Sequence, residues 1–217
     1  GRILGGNDQL PKAFAKNLGT KIKYNHAVRR INATSNGIEV LFTNKENNYT
    51  INGTKIVFAV PTTILKNIKV NPGFSREKDY SIRNQSYGHV MKVAMQFQQR
   101  FWDSINSIGQ RVFTDTPLRR VYHFSVDQPG PRGILLSFTS GDDARKLGNL
   151  SEINRMKIAK RSCKNIWRNS DNYWESGISK YWNEDKWIKA SYSYSGIGQK
   201  DFRDFLSKTE QPFYFAG

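Results

Sequence analysis

The sequence predicts an α+β fold: a mixed sheet flanked by helices, together with a separate helix and antiparallel meander. Three features carry this expectation. Strand-like and helix-like stretches come in blocks rather than in strict alternation. The first block is one amphipathic helix followed by short strands punctuated by Asn-Gly pairs. From Thr62 onward, apolar strands are interleaved with further helices. No internal repeat or low-complexity linker interrupts the 217 residues, and hydrophobic residues at 37% with aromatics at 13% exclude wholesale disorder. A single cysteine, Cys163, excludes a disulfide scaffold and a cysteine metal cluster.

Asn7 or Asp8 caps the first helix, Pro11 sits in its first turn, and Gly19 ends it. Leu10, Phe14 and Leu18 fall on one side of it. Lys21–Tyr24, Ala27–Asn32, Ile38–Phe42 and Thr54–Val60 read as strands, the last one buried, with turns at Asn36-Gly37 and Asn52-Gly53 and a stop at Pro61. Beyond it, Ile64–Ile68 forms a helical turn, Asn71-Pro72-Gly73 a loop, and Ser75–Asn84 a helix capped by Ser75. Val90–Phe97, Val121–Phe124, Gly133–Phe138 and Ile178–Trp182 are strands. Asp142 and Asp143 begin a short helix over Ala144–Leu147, and Ser151–Asn169 is a long one. Asp103 and Asp115, like Asp142 and Asp143, fit turns and caps better than catalysis.

Lys plus Arg number 34 and Asp plus Glu 18, a net charge of +16. The cations are scattered, and the densest run, Lys157 to Lys164, fits the wet face of a helix. A general basic surface therefore outweighs a nucleic-acid patch, and no zinc-finger or RNA-recognition signature is present. An acidic remainder of the protein would balance the charge. No apolar run reaches the roughly 18 residues of a membrane span. The opening at Gly1 and the apolar close at Phe213–Gly217 predict a piece of a longer protein.

Familiar catalytic signatures are missing: no dinucleotide or phosphate loop, no His-Glu-x-x-His, no serine elbow, and His26, His89 and His123 lack metal-ligand spacing. Two features remain. In Val90–Phe97 one face carries Met91, Val93, Met95 and Phe97, and the other Val90, Lys92, Ala94 and Gln96. A strand so apolar is expected to be covered on both sides, which would desolvate Lys92 and suit it to holding a water or acting as a base. The alternative is a lysine that snorkels to the sheet edge, the commoner situation. The second feature is the aromatic density of Tyr181, Trp182, Trp187, Tyr192 and Tyr194, which fits a pocket for a flat ring and equally well ordinary packing.

Read together, these features resemble the flavin-dependent amine oxidase family of monoamine, polyamine and L-amino-acid oxidases. Gly5-Gly6-Asn7-Asp8-Gln9-Leu10-Pro11 is similar to its helix start, Asn25-His26-Ala27-Val28 to its adenine-contact strand, and Phe58-Ala59-Val60-Pro61 to the exit from its flavin domain. Lys92 with Phe101-Trp102, Trp182, Trp187 and Ser191-Tyr192-Ser193, and Phe213–Gly217 match the later motifs in order. Thr114–Tyr122 and Gly141-Asp142-Asp143-Ala144 look most like L-amino-acid oxidases.

The resemblance implies oxidation of the amine of an L-amino acid to an imine by hydride transfer to FAD. Oxygen is then reduced to hydrogen peroxide, and hydrolysis releases a keto acid and ammonia. Other amine substrates, or a basic module binding nucleic acid or an acidic partner, are the alternatives. It also implies that Lys92 holds a water against the flavin and that Trp182 packs on the flavin ring. Trp187 belongs to the same cofactor-binding segment, Val28 meets the adenine through its backbone, and Gly217 approaches the cofactor closely. Tyr192 and Phe138 line the substrate pocket. Residues 1–61 and 209–217 are implied to belong to the flavin domain and 62–208 to the substrate domain.

Ser191 stands where monoamine oxidases carry a flavin-linking cysteine, so the FAD is expected to be non-covalent. Phe138 stands where L-amino-acid oxidases often have a carboxylate-binding tyrosine, and phenylalanine has no hydroxyl to donate. With no dinucleotide loop in these residues, they alone are expected to hold little or no FAD and to be inactive. The implied partners are a small amine or amino acid and the remainder of the parent chain.

Overall fold

The computed structural model describes residues 3, 5–45, 47–104 and 111–216. In chain order the elements are α1 (Gln9–Leu18), β1 (Ala27–Thr34), β2 (Gly37–Asn44), β3 (Asn47–Gly53), β4 (Ile56–Phe58), α2 (Thr62–Leu65), β5 (Lys69–Asn71), α3 (Arg76–Asn84), β6 (Ser86–Tyr87) and β7 (Val90–Phe97). There follow β8 (Arg111–Phe113), β9 (Arg120–His123), β10 (Gly133–Ser140), α4 (Gly141–Gly148), α5 (Glu152–Ile166), β11 (Trp174–Tyr181), β12 (Ser193–Tyr194), α6 (Phe202–Ser207) and β13 (Phe213–Phe215). The α+β class holds. Among the described residues no helix is long and apolar enough to cross a membrane.

The chain forms two compact units, Gly1–Gln85 with Ile197–Gly217, and Ser86–Gly196. By compactness α2, β5, α3 and α6 therefore join the first unit, whereas the domain limits implied by the resemblance fall at 61/62 and 208/209.

In the first unit the strand order is β3-β2-β1-β5, with β5 parallel to β1 and the other pairs antiparallel. The expected hairpin turn joins β1 to β2, with Thr34 opposite Gly37. Gly37 has φ +125°, and a Cβ there would lie 2.7 Å from the Gly53 carbonyl oxygen, so the position requires glycine. Strands β4 and β13 form a separate parallel pair. Their core joins Ile31, Ile38, Leu65 and Ile82 to Phe58 and Phe213. Phe58, Phe74, Phe213 and Phe215 pack with ring centroids 5.3 to 5.8 Å apart.

Lys78 on α3 is buried in this unit, 1% exposed. Its ammonium donates to the carbonyls of Phe205 (2.7 Å), Leu206 (3.0 Å) and Lys208 (2.7 Å), and lies 3.7 Å from the Phe215 ring centroid. These are carbonyls that the end of α6 leaves without helical partners. Burial pushes the Lys78 ammonium below the ordinary lysine range, with Lys208 adding to that and Glu210 opposing it.

In the second unit a five-stranded antiparallel sheet runs β11-β7-β10-β9-β8. One face packs under α4 and α5: Met91, Val93, Met95, Phe97, Val121 and Leu135 meet Ala144, Leu147, Ala159 and Cys163. Ser151 caps α5 by accepting from the Asn154 amide. Arg155 on α5 is buried; it donates to the carbonyls of Leu147 and Gly148 at the end of α4 and to the Glu184 carboxylate.

Several expectations are corrected. Residues 21–24 form no strand, because a 3-10 turn over Gly19–Lys21 prolongs the helix. Asn52-Gly53 is no turn but the end of a strand, β3, which the sequence hides because it is an exposed polar edge. Only Phe58 of β4 is buried, since a single strand, β13, pairs with it. Strand β11 begins at Trp174, four residues before the expected start at Ile178. On α1 the apolar stripe is open to water: Leu10 is 54% exposed, Phe14 61% and Leu18 45%.

Candidate functional site

Strand β7 spans the expected residues, and its alternation divides the sheet into a covered and an open face. Met91, Val93, Met95 and Phe97 are buried, whereas Lys92, Ala94 and Gln96 are half-buried. Lys92 is therefore not sealed on both sides, as its apolar neighbours suggest. Both α4 and α5 pack on the other face, and within this unit no described helix covers the Lys92 face.

Register decides what surrounds Lys92. Phe138 on β10 is directly opposite on one side and Lys180 on β11 on the other. The Lys92 ammonium lies 5.9 Å from the Phe138 ring centroid. Arg120 on β9 is opposite Phe138, and Phe113 on β8 is opposite Arg120. One row thus crosses the sheet: Lys180, Lys92, Phe138, Arg120, Phe113. Lys180 is 2.7 Å from Asp185, whose carboxyl it holds below the usual range, and 5.0 Å from the Trp182 ring centroid. Trp182 therefore stands beside the Lys92 row, just past the end of β11.

The remaining expected residues are more dispersed. Trp187 is half-open on a loop, its ring 5.0 Å from the Lys186 ammonium. Tyr192 lies immediately before β12, which pairs with β6, and the Gly88 amide donates to its carbonyl (2.9 Å). A Cβ on Gly88 would meet the Tyr192 ring at 2.9 Å, so glycine makes room for that ring. Val28 lies in the first unit, on a stretch of β1 that β5 does not reach. Gly217 lies outside the described residues.

Lys180, Arg120, Asp185 and Gly88 were not singled out by sequence reasoning. Their signal lies in strand pairing and close approach, which one sequence does not display. His89 and Tyr181 form a further pair, with the ring nitrogen and hydroxyl 2.6 Å apart. Burial lowers the pKa of the imidazole and raises that of the phenol. Among the described residues no three metal-ligating side chains gather. A cavity of about 410 Å³ lies in the first unit beside Leu65, Val70, Phe74 and Ile82, and none of the expected site residues lines it.

The chain is 26% identical to the flavin-dependent L-tryptophan oxidase RebO of Lentzea aerocolonigenes, over 100% of its own length and 47% of that protein's. It is 27% identical to the putative L-amino-acid oxidase YobN of Bacillus subtilis, with 99% and 47% covered. A solved structure of putrescine oxidase bound to putrescine superposes with a TM-score of 0.84 at 22% identity, covering 98% of this chain and 47% of that one. The chain thus spans about half the length of these relatives. Residues 1–217 match the sequence profile described as flavin containing amine oxidoreductase, and the chain belongs to that family.

Proposed function

We propose that the protein containing this chain is an FAD-dependent oxidase acting on the amine of an L-amino acid, and that the second unit supplies its substrate surface. The observation that carries the reading is Lys92, half-buried on the open face of the sheet with Phe138 beside it and Trp182 on the same side. When bound, FAD supplies the oxidising power, taking two electrons from the C–N centre and passing them to oxygen to form hydrogen peroxide. The chain's own residues would bind and orient. The Lys92 ammonium donates hydrogen bonds to a water near the reacting carbon, the Trp182 indole offers a flat apolar face, and Phe138 and Tyr192 exclude bulk water from the substrate. The released imine hydrolyses to a keto acid and ammonia. With Ser191 at the tether position, the cofactor is held without a covalent bond.

The substrate class is supported by charge. On the open face Lys92 and Arg120 have no carboxylate partner among the described residues. Such a field favours a carboxylate-bearing substrate over a dication. A carboxylate-free amine is the second reading, favoured by the missing hydroxyl at Phe138.

The test is oxygen consumption by the full-length protein with L-amino acids and with the corresponding amines. Amino acids are expected to be oxidised faster, and Lys92→Met to lower kcat by roughly 100-fold. Oxidation of amines alone would overturn the substrate class, and absence of a bound flavin would overturn the reading altogether.

A further inference from the structure

We propose that Asp185 is a positioning residue of the oxidase: one carboxylate that takes up the ammonium beside Lys92 and anchors the loop bearing Trp182 and Trp187. This rests on the reading of Lys92 and Trp182 as the groups that meet the reacting carbon and the flavin.

Lys180 and Lys92 are directly opposite on β11 and β7. Their side chains therefore leave the same face of the sheet, with Cβ atoms about 5 Å apart. Two like charges so placed repel. Asp185 relieves the conflict, because its Oδ2 accepts from the Lys180 Nζ (2.7 Å) and offsets that charge. Glu184, one residue earlier, is held instead by Arg155. On the other side of Lys92 the facing residue is Phe138, which carries no charge, and Arg120 lies one strand further on.

The same residue organises the loop after β11. The Trp187 amide donates to the Asp185 Oδ1 (3.0 Å). The amides of Ile188 (3.3 Å) and Lys189 (2.9 Å) donate to the Asp185 carbonyl. The Lys180 ammonium that Asp185 holds lies 5.0 Å from the Trp182 ring centroid, so the cation also braces the indole. The two carboxylate oxygens thus have separate tasks: Oδ2 sets the charge beside Lys92, and Oδ1 sets the loop. Asparagine at this position keeps an acceptor for the Trp187 amide but no charge, and alanine keeps neither.

The experiment uses the full-length protein loaded with FAD. The protonation of Lys92 is followed by 13C NMR of protein labelled at the lysine Cε, with the signal assigned by its loss in Lys92→Met. FAD affinity is measured by titrating the apoprotein with FAD. In Asp185→Asn the Lys92 midpoint is expected to fall by roughly half to one pH unit, because Lys180 is left as a bare cation opposite it. FAD affinity should stay within about twofold of the wild type, since the loop keeps its acceptor. Adding Lys180→Met to Asp185→Asn is expected to return the midpoint to its wild-type position. Asp185→Ala should weaken FAD binding about tenfold. A midpoint that does not move in Asp185→Asn, or that stays displaced in the double variant, would overturn the role beside Lys92. Undiminished FAD affinity in Asp185→Ala would overturn the role in the loop. Either result leaves the oxidase reading standing, whereas a wild-type protein that binds no flavin would overturn both.

Discussion

The two units solve the same local problem with different chemistry. Each has a short helix whose last carbonyls are buried, and each sends in a cation from a different helix. In the first unit Lys78 reaches the end of α6 and, among the described residues, its ammonium meets three carbonyls and the Phe215 ring with no carboxylate in hydrogen-bond contact. In the second, Arg155 reaches the end of α4 and is also held by Glu184, which is itself half-open to water. The lesson is that a buried ammonium can have its hydrogen bonds met by carbonyl dipoles when enough of them converge, with a carboxylate, Glu210, acting only through its field, whereas the guanidinium, with more donors, also takes a counter-ion into direct contact.

This contrast can be tested by removing each cation in turn. The largest expected effect is Lys78→Met, which strands three buried carbonyls; chain stability should fall by about 3 kcal/mol in urea titration. Arg155→Met should cost somewhat less, about 2 kcal/mol, because the Glu184 left behind can rehydrate. An equal or reversed order would break the comparison. Glu184→Gln is the finer probe: a loss below about 1 kcal/mol that shrinks further as salt is raised, where the Lys78 contacts should be indifferent to salt.

An effect confined to alkaline pH, and absent at neutrality, concerns Cys163, also on α5. Burial pushes its thiol up to about 12, so the folded chain keeps the proton where an unfolded one releases it. The stability this confers is complete below about pH 9, the ordinary thiol range, and is lost as pH rises toward 12. Unfolding curves should weaken with pH across that window by at most about 1.4 kcal/mol per unit. Cys163→Ala should remove this dependence. A slope equally steep in the variant would assign it to other groups.

Much of the fold was legible. Val90–Phe97 reads correctly because its alternation and its burial agree, and Ser75 and Ser151 announce their helices through caps that the structure forms. Strand β3 was not legible, because an edge strand needs no apolar alternation. Of the candidate site, Lys92 and the aromatic density around Trp182 stand out by residue chemistry and Phe138 through the family resemblance, but their relation to Lys180 and Arg120 is a fact of register. The half-burial of Lys92 lies between the two situations its sequence allows, because two-sided cover depends on where helices settle, and α4 and α5 both pack on the other face.

The greasy ridge along α1 has a practical cost. Ten residues of helix with no buried side chain have little to hold them together in water. Leu10, Phe14 and Leu18 offer a ready seam to any similar surface. A purified sample of residues 1–217 should accordingly cluster as it is concentrated, and polar replacements along that ridge should keep it dispersed.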